Sequence, residues 1–163
     1  MYHAIVRRRI RQLFAAINRG DVQTILDAFA PDAEHVFIGA GHALAGRRDK
    51  PASIRDWYGR LKALLPDLRF TPHRIDVAGP PWATIAVIEW TEVNRGMDGV
   101  QTETAGVHVV HLRWGKMTRL LILSDTAALG ATLQRMAASS DGLSLAAPID
   151  DRPGWPADQN SDS

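Results

Sequence analysis

The chain has no cysteine among its 163 residues, which excludes disulfides and thiolate metal sites and is compatible with a reducing compartment. Tyrosine occurs only twice and phenylalanine four times. Glutamate is scarce too, standing at positions 34, 89, 92 and 103 alone. No apolar run approaches the ~18 residues of a membrane span, so no membrane partner is expected. The opening MYHAIVRRRIRQ puts a short apolar stretch before its arginines, the reverse of a secretory leader. The expectation is a cytoplasmic protein. The glycine-rich stretch GAGHALAG (39–46) lacks the GxxxxGK[ST] pattern of a phosphate cradle, and no HExxH occurs. His108 and His111 stand three apart on a predicted strand and so point to opposite faces. No metal site is expected.

What is present is an ordinary globular composition, 45% hydrophobic and 23% charged, of a length suited to one domain. The net charge of +1 is unevenly spread. From Ser139 onward there are five aspartates (141, 150, 151, 158 and 162) against Arg152 alone, which leaves the body with 18 basic and 13 acidic side chains. That excess is too mild to indicate a nucleic-acid partner.

Apolar residues at Ile5, Val6, Ile10, Leu13, Phe14 and Ile17 follow helical spacing and predict a helix over 4–19. Its arginines at 7–11 interleave with that face and read as a solvated stripe. Asp21 caps a second helix over 22–29, stopped by Pro31. A short strand over 34–38 leads into the glycine-rich loop. Pro51 then opens a third helix with Ile54, Trp57, Tyr58, Leu61 and Leu65 on one face. Beyond it the period changes. Strands are predicted over 68–77, 82–93, 100–114 and 117–125, with turn signals at GPP (79–81), RGMDG (95–99) and Gly115-Lys116. A short helix over 126–137 closes the domain, taken as 1–138. Residues 139–163, rich in Asp, Ser, Pro and Gly, read as a disordered or loosely draped tail that includes Trp155. Helices segregated from consecutive strands indicate an α+β fold.

These residues carry a family likeness. RRRIRQLFAAINRGDVQTILDAFAPDAEHVF (7–37) resembles the opening of the SnoaL-like branch of the nuclear transport factor 2-like superfamily. PWATIAVIEWTEV (81–93) and GVHVVHLRWGKMTRLLILSD (106–125) are similar to its later strands. The resemblance implies a cone-shaped α+β barrel, with N-terminal helices packed on a curved, mostly antiparallel sheet, and a homodimer through the outer sheet face. Members range over polyketide cyclases, steroid isomerases, epoxide hydrolases and non-catalytic binding domains, so architecture alone assigns no activity. Where steroid isomerases place an aspartate base in the first strand, this chain has Phe37, and near their helix-one tyrosine it has Phe14. Where epoxide hydrolases carry Arg-x-Asp, it reads Trp90-Thr91-Glu92. Asp125 is the closest match to the late acid of the cyclases, but Leu121 and Leu123 replace the His and Tyr of the preceding strand.

Several strand positions carry ionisable groups among apolar neighbours, which is costly unless they pair or react. Asp125 is either the N-cap of the last helix, a general acid or base in an apolar setting, or both. Glu92 is either a catalytic carboxylate or a rim carboxylate paired to Arg95. Glu89, on the opposite face, reads as half of a cross-strand ion pair. His108 is a core histidine or a proton shuttle, and His35 poses the same choice. The leading expectation is a cofactor-independent pocket protein for a small apolar, carbonyl-bearing molecule, with isomerase or cyclase chemistry by Asp125, His108 and Glu92. His35, Phe37, Trp57, Trp90 and Trp114 would shape the pocket. The rivals are a non-catalytic binding or dimerisation domain, and epoxide-type hydrolysis, which needs Glu92 and Asp125 on one wall.

Overall fold

The computed structural model describes residues 1–39, 42–139 and 142–152. Helices α1 (Tyr2–Asn18) and α2 (Val22–Leu26) lead into strand β1 (Phe29–Phe37). A short strand β2 (Gly46–Arg48) and helix α3 (Pro51–Leu64) follow. The chain then forms the meander β3 (Arg69–Ala78), β4 (Thr84–Arg95), β5 (Gln101–Arg113) and β6 (Lys116–Ser124), and ends in α4 (Thr126–Arg135). The six strands form one sheet in the order β2-β1-β6-β5-β4-β3. All pairs are antiparallel except β1 with β6. The sheet does not close on itself, since β2 and β3 are its edges, and the helices complete the cone.

The alternation of β4 defines the two faces. Thr84, Ala86, Ile88, Trp90, Glu92 and Asn94 are buried, while the intervening residues are half-buried or exposed. The inner face carries the core together with Val6, Ile10 and Phe14 of α1 and Ile54, Trp57 and Leu61 of α3. Within this chain only one side is covered, and Ile85 and Leu123 stand 42% and 38% exposed on the other.

Helix α1 runs along the edge strand β3 and satisfies its free backbone groups. His3 Nε2 donates to Gly79 O (2.8 Å) and Arg7 Nε to Ile75 O (3.1 Å). Asn18 both donates to Phe70 O (2.8 Å) and accepts from Phe70 N (2.7 Å). Two boundaries differ from expectation. Helix α2 ends at Leu26, and β1 begins before Pro31, because Pro31 and Asp32 occupy an exposed irregularity between the Phe29 and Glu34 pairings. Residues Gly46–Arg48, expected as loop, pair with β1.

The tail also departs from the expectation of a loose segment. Among its described residues, the Asp151 carboxylate accepts from Asp49 N (2.9 Å), Lys50 N (3.2 Å) and Ser53 Oγ (2.8 Å). It thereby caps α3, whose own N-cap residue Lys50 supplies no side-chain acceptor. Ile149 O and Ala147 O accept from Arg48 and Arg60. Trp155 lies outside the described residues. Replacing Asp151 with alanine should cost about 1–2 kcal/mol, read as a lower denaturation midpoint. An unchanged midpoint would show that the cap is dispensable.

Candidate functional site

Between α1, α3 and the inner face of the sheet lies a cavity of about 180 Å³. Its wall is built from helical stripes, Ile10 and Phe14 on α1 and Trp57, Tyr58 and Leu61 on α3, facing Ile88, Val110 and Leu120 of the sheet. Five of the wall's side chains have a polar group: Tyr2, Arg9, Trp57, Tyr58 and His108, the Trp57 indole N–H being spent on Leu44 O at 2.8 Å. The Tyr2 hydroxyl is already engaged with Thr84 Oγ1 at 2.7 Å.

His108 projects from the middle of β5, opposite Ile88 of β4 and Ile122 of β6. Phe14, Trp90 and Phe70 surround its ring, with centroids 5.4, 5.3 and 6.0 Å away. The Trp90 ring lies directly over Gly106, where any Cβ would collide with it. Burial pushes the His108 pKa down to about 3, so the imidazole is neutral at physiological pH. The Tyr58 hydroxyl is driven up by burial and stays protonated. Among the described residues, neither His108 nor the Tyr58 hydroxyl has a protein hydrogen-bond partner.

His35 sits behind this wall, its ring 4.4 Å from Trp57 and 5.5 Å from Tyr58. Its Nδ1 accepts from Arg48 Nε at 3.1 Å, and since a guanidinium can only donate, the proton of the neutral ring is on Nε2. Burial first and the Arg48 charge second hold its pKa well below the ordinary histidine value. Arg48 itself has no accessible surface; it also donates to Ala45 O, Ile149 O and Gly46 O and stacks over Trp57. It is therefore a structural pin.

The structure separates the residues expected to act together. His108 and Trp57 line the cavity, whereas Trp90 stands behind His108 and Phe37 packs on His42 and Trp57 outside the wall. Asp125 is exposed and accepts from Ala127 N (3.1 Å) and Ala128 N (3.0 Å), so it caps α4 and does not reach the cavity. Leu121 and Leu123, expected to share its apolar setting, fall on the outer face because Met117, Leu120 and Ile122 take the inner one across an irregularity at Thr118. Trp114 is also misplaced by expectation. It occupies the β5–β6 turn with φ 53, followed by Gly115 at φ 79, and is 69% exposed. There it packs against Trp82, with ring centroids 5.9 Å apart.

Glu92 is on the inner face but beyond Trp90, and it is buried, not a rim carboxylate paired to Arg95. Asn94 Nδ2 (2.5 Å) and Thr104 Oγ1 (2.9 Å) donate to its two oxygens. Burial raises its pKa, opposed by these two bonds. Glu89 is exposed on the outer face, in register with Arg74. Glu92 and Asp125 thus share no wall, and the paired-carboxylate hydrolytic arrangement is not formed. Sequence reasoning overlooked Tyr58 as a site residue. Its phenol on the otherwise apolar stripe of α3, one of only two in the chain, was the available signal. Among the described residues no group of three or more histidines and carboxylates is placed to hold a metal, and no helix is long and apolar enough to cross a membrane.

The helices and the open, mostly antiparallel sheet define the class of α+β cone folds. Within that class the chain belongs to the SnoaL-like domain family, whose family model matches residues 10–120. A comparison with curated proteins finds no match. Among solved structures, TerC co-crystallised with polyporic acid is similar at 23% identity and TM-score 0.68, over 78% of this chain and 96% of TerC. A nuclear transport factor 2-like protein of unknown function from Burkholderia pseudomallei is similar at 19% identity and TM-score 0.67, over 82% and 95%. IdmH from Streptomyces antibioticus, described as a candidate polyketide cyclase, is similar at 21% identity and TM-score 0.62, over 78% and 97%. These likenesses establish the fold.

The low pKa of His108 has a consequence for stability. Above the ordinary value of 6.5 the ring is neutral in folded and unfolded chains alike, and its burial costs no proton. As the pH falls from 6.5 toward about 3, the unfolded chain takes up a proton that the folded one refuses, and stability is lost. His35 and His42 shift in the same direction. The denaturant midpoint should therefore fall between pH 7 and pH 5, and His108→Phe should make that fall shallower. An identical slope in the variant would contradict the assignment.

Proposed function

We propose that this chain binds a small, apolar, carbonyl-bearing molecule in the cavity beneath α1. The observation that carries this reading is the polarity of the deep wall: hydrocarbon and aromatic surface, with the His108 ring and the Tyr58 hydroxyl left without protein partners. A mostly apolar cavity with a few unpaired polar groups is the usual make-up of a ligand site. Apolar surface of the ligand would supply affinity, and a hydrogen bond to a carbonyl oxygen would set its orientation. Neither group needs a cofactor for this. The names of TerC and IdmH belong to the same chemical territory, but a shared fold transfers no activity.

The same two groups support a second, catalytic reading of the isomerase or cyclase type. Neutral His108 would take a proton from the carbon beside the carbonyl, the Tyr58 hydroxyl would hydrogen-bond the enolate oxygen, and the imidazolium would return the proton to carbon. A base with so low a pKa suits only an acidic carbon, such as one flanked by two carbonyls. The exposed outer face, with Ile85 and Leu123, would be covered by a second copy of the chain.

Two measurements test these statements. Leu13→Trp, which fills the cavity from α1, should abolish binding of a naphthalene-sized ketone such as 2-acetylnaphthalene, read by calorimetry, while far-ultraviolet circular dichroism is unchanged. Equal binding by wild type and variant would sink the reading. For the dimer, Leu123→Arg should shift the mass measured by light scattering from two chains to one; a wild type already monomeric at micromolar concentration would refute it.

A further inference from the structure

The wall of the cavity combines buried residues such as Tyr58 with solvent-exposed ones. Three of its wall residues, Ile5, Arg9 and Gly115, are exposed to solvent, which places the mouth between the first half of α1 and the β5–β6 turn. The arginine run of α1 is not a uniform solvated stripe. Arg7 is spent on Ile75 O, and Arg8 and Arg11 are exposed outside the wall. Arg9 falls on the same stripe as Tyr2, Ile5, Val6, Ile10 and Leu13, so its stem joins the wall and its head stands at the mouth.

We propose that the ligand is an acid, with its apolar body in the cavity and its carboxylate at the mouth against Arg9. Three observations converge on this. Arg9 is the only charged residue of the cavity wall, which contains no Asp or Glu. Among the described residues Arg9 has no ion pair or hydrogen bond. Lys116, next to Gly115 on the opposite rim, donates to a backbone carbonyl, Asp27 O, and keeps its charge unneutralised by that contact. The mouth thus favours an anion, and a guanidinium fork matches a carboxylate in shape as well as charge. The ligand would be bipolar along its length: a neutral acceptor for His108 and Tyr58 at the deep end, an acidic group at the shallow end.

This inference rests on the ligand-binding reading above, and the test separates the two. 2-Naphthoate and 2-naphthamide have the same shape and differ in charge. Calorimetry at pH 7 and low salt should give naphthoate about fivefold tighter binding than naphthamide, a margin expected for one solvent-facing ion pair. The margin should shrink as sodium chloride is raised. Arg9→Gln should erase the preference by weakening naphthoate more than naphthamide, and Arg9→Lys should restore part of it. Equal binding of the two compounds by wild type overturns the acid assignment and leaves the cavity reading standing. A preference that persists in Arg9→Gln, or an equal loss for both compounds, overturns it likewise, the latter marking Arg9 as packing. Failure of both compounds to bind overturns the cavity reading and this inference with it.

Discussion

A guanidinium without accessible surface must find protein acceptors for its donors, because water cannot reach it. Arg48 meets that demand with the ring of His35 on β1, the carbonyls of Ala45 and Gly46 in the glycine-rich segment, and the carbonyl of Ile149 in the tail. Its pKa is drawn down to about 10 by burial, against the pull of Asp150, Tyr58 and Asp151. One side chain therefore ties its own segment both to β1 and to the tail, about a hundred residues further on. Helix α3 depends on this junction. Trp57 lies against both Arg48 and His35 and donates to Leu44 O at 2.8 Å, so the helix that supplies one wall of the cavity is indexed to the pinned segment.

Two separate buried groupings engage polar side chains away from the cavity. His35 is consumed on its Arg48 side, and Glu92 is sealed into a network with Asn94 and Thr104. The Glu92 network, with both carboxylate oxygens bonded, holds its part of the core in one arrangement, whereas the buried Nε2 of His35 has no partner among the described residues. What remains open to a ligand is uncharged at depth and cationic at the rim. On the ligand-binding reading proposed above, the interior would recognise an oxygen and the entrance a charge.

Much of the fold was legible. The change from helical to strand period after Pro66 placed the meander, and the turn signals bounded it to within two residues of the observed strands. The edge strand β2 was not legible, because Gly46–Arg48 has no alternation of its own and pairs only because β1 is adjacent. Of the site, His108 and Trp57 could be found, each as an outlier in a periodic stripe. Asp125 and Trp114 could not be placed, for a shared reason. Parity counted along an apolar strand predicts facing only while the register is unbroken, and a break at Thr118 and a turn at Trp114 each reset it. Both faces of β5 and β6 being apolar, nothing in composition reported the reset.

One pairing in the sheet also dictates the order in which the molecule can be assembled. Strand β1 precedes the meander in the chain but finds its parallel partner only in the last strand, with Phe37 beside Ile122. Strands β3 to β6 pair with sequence neighbours through short turns, so their closure entropy is small. On a ribosome, the first helices and β1 emerge early and must wait, with their apolar surface uncovered, until β6 has left the tunnel. The clamp of the tail on α3 comes later still. Of the elements of this domain, the first made is thus among the last to be secured, and it is the part that roofs the cavity.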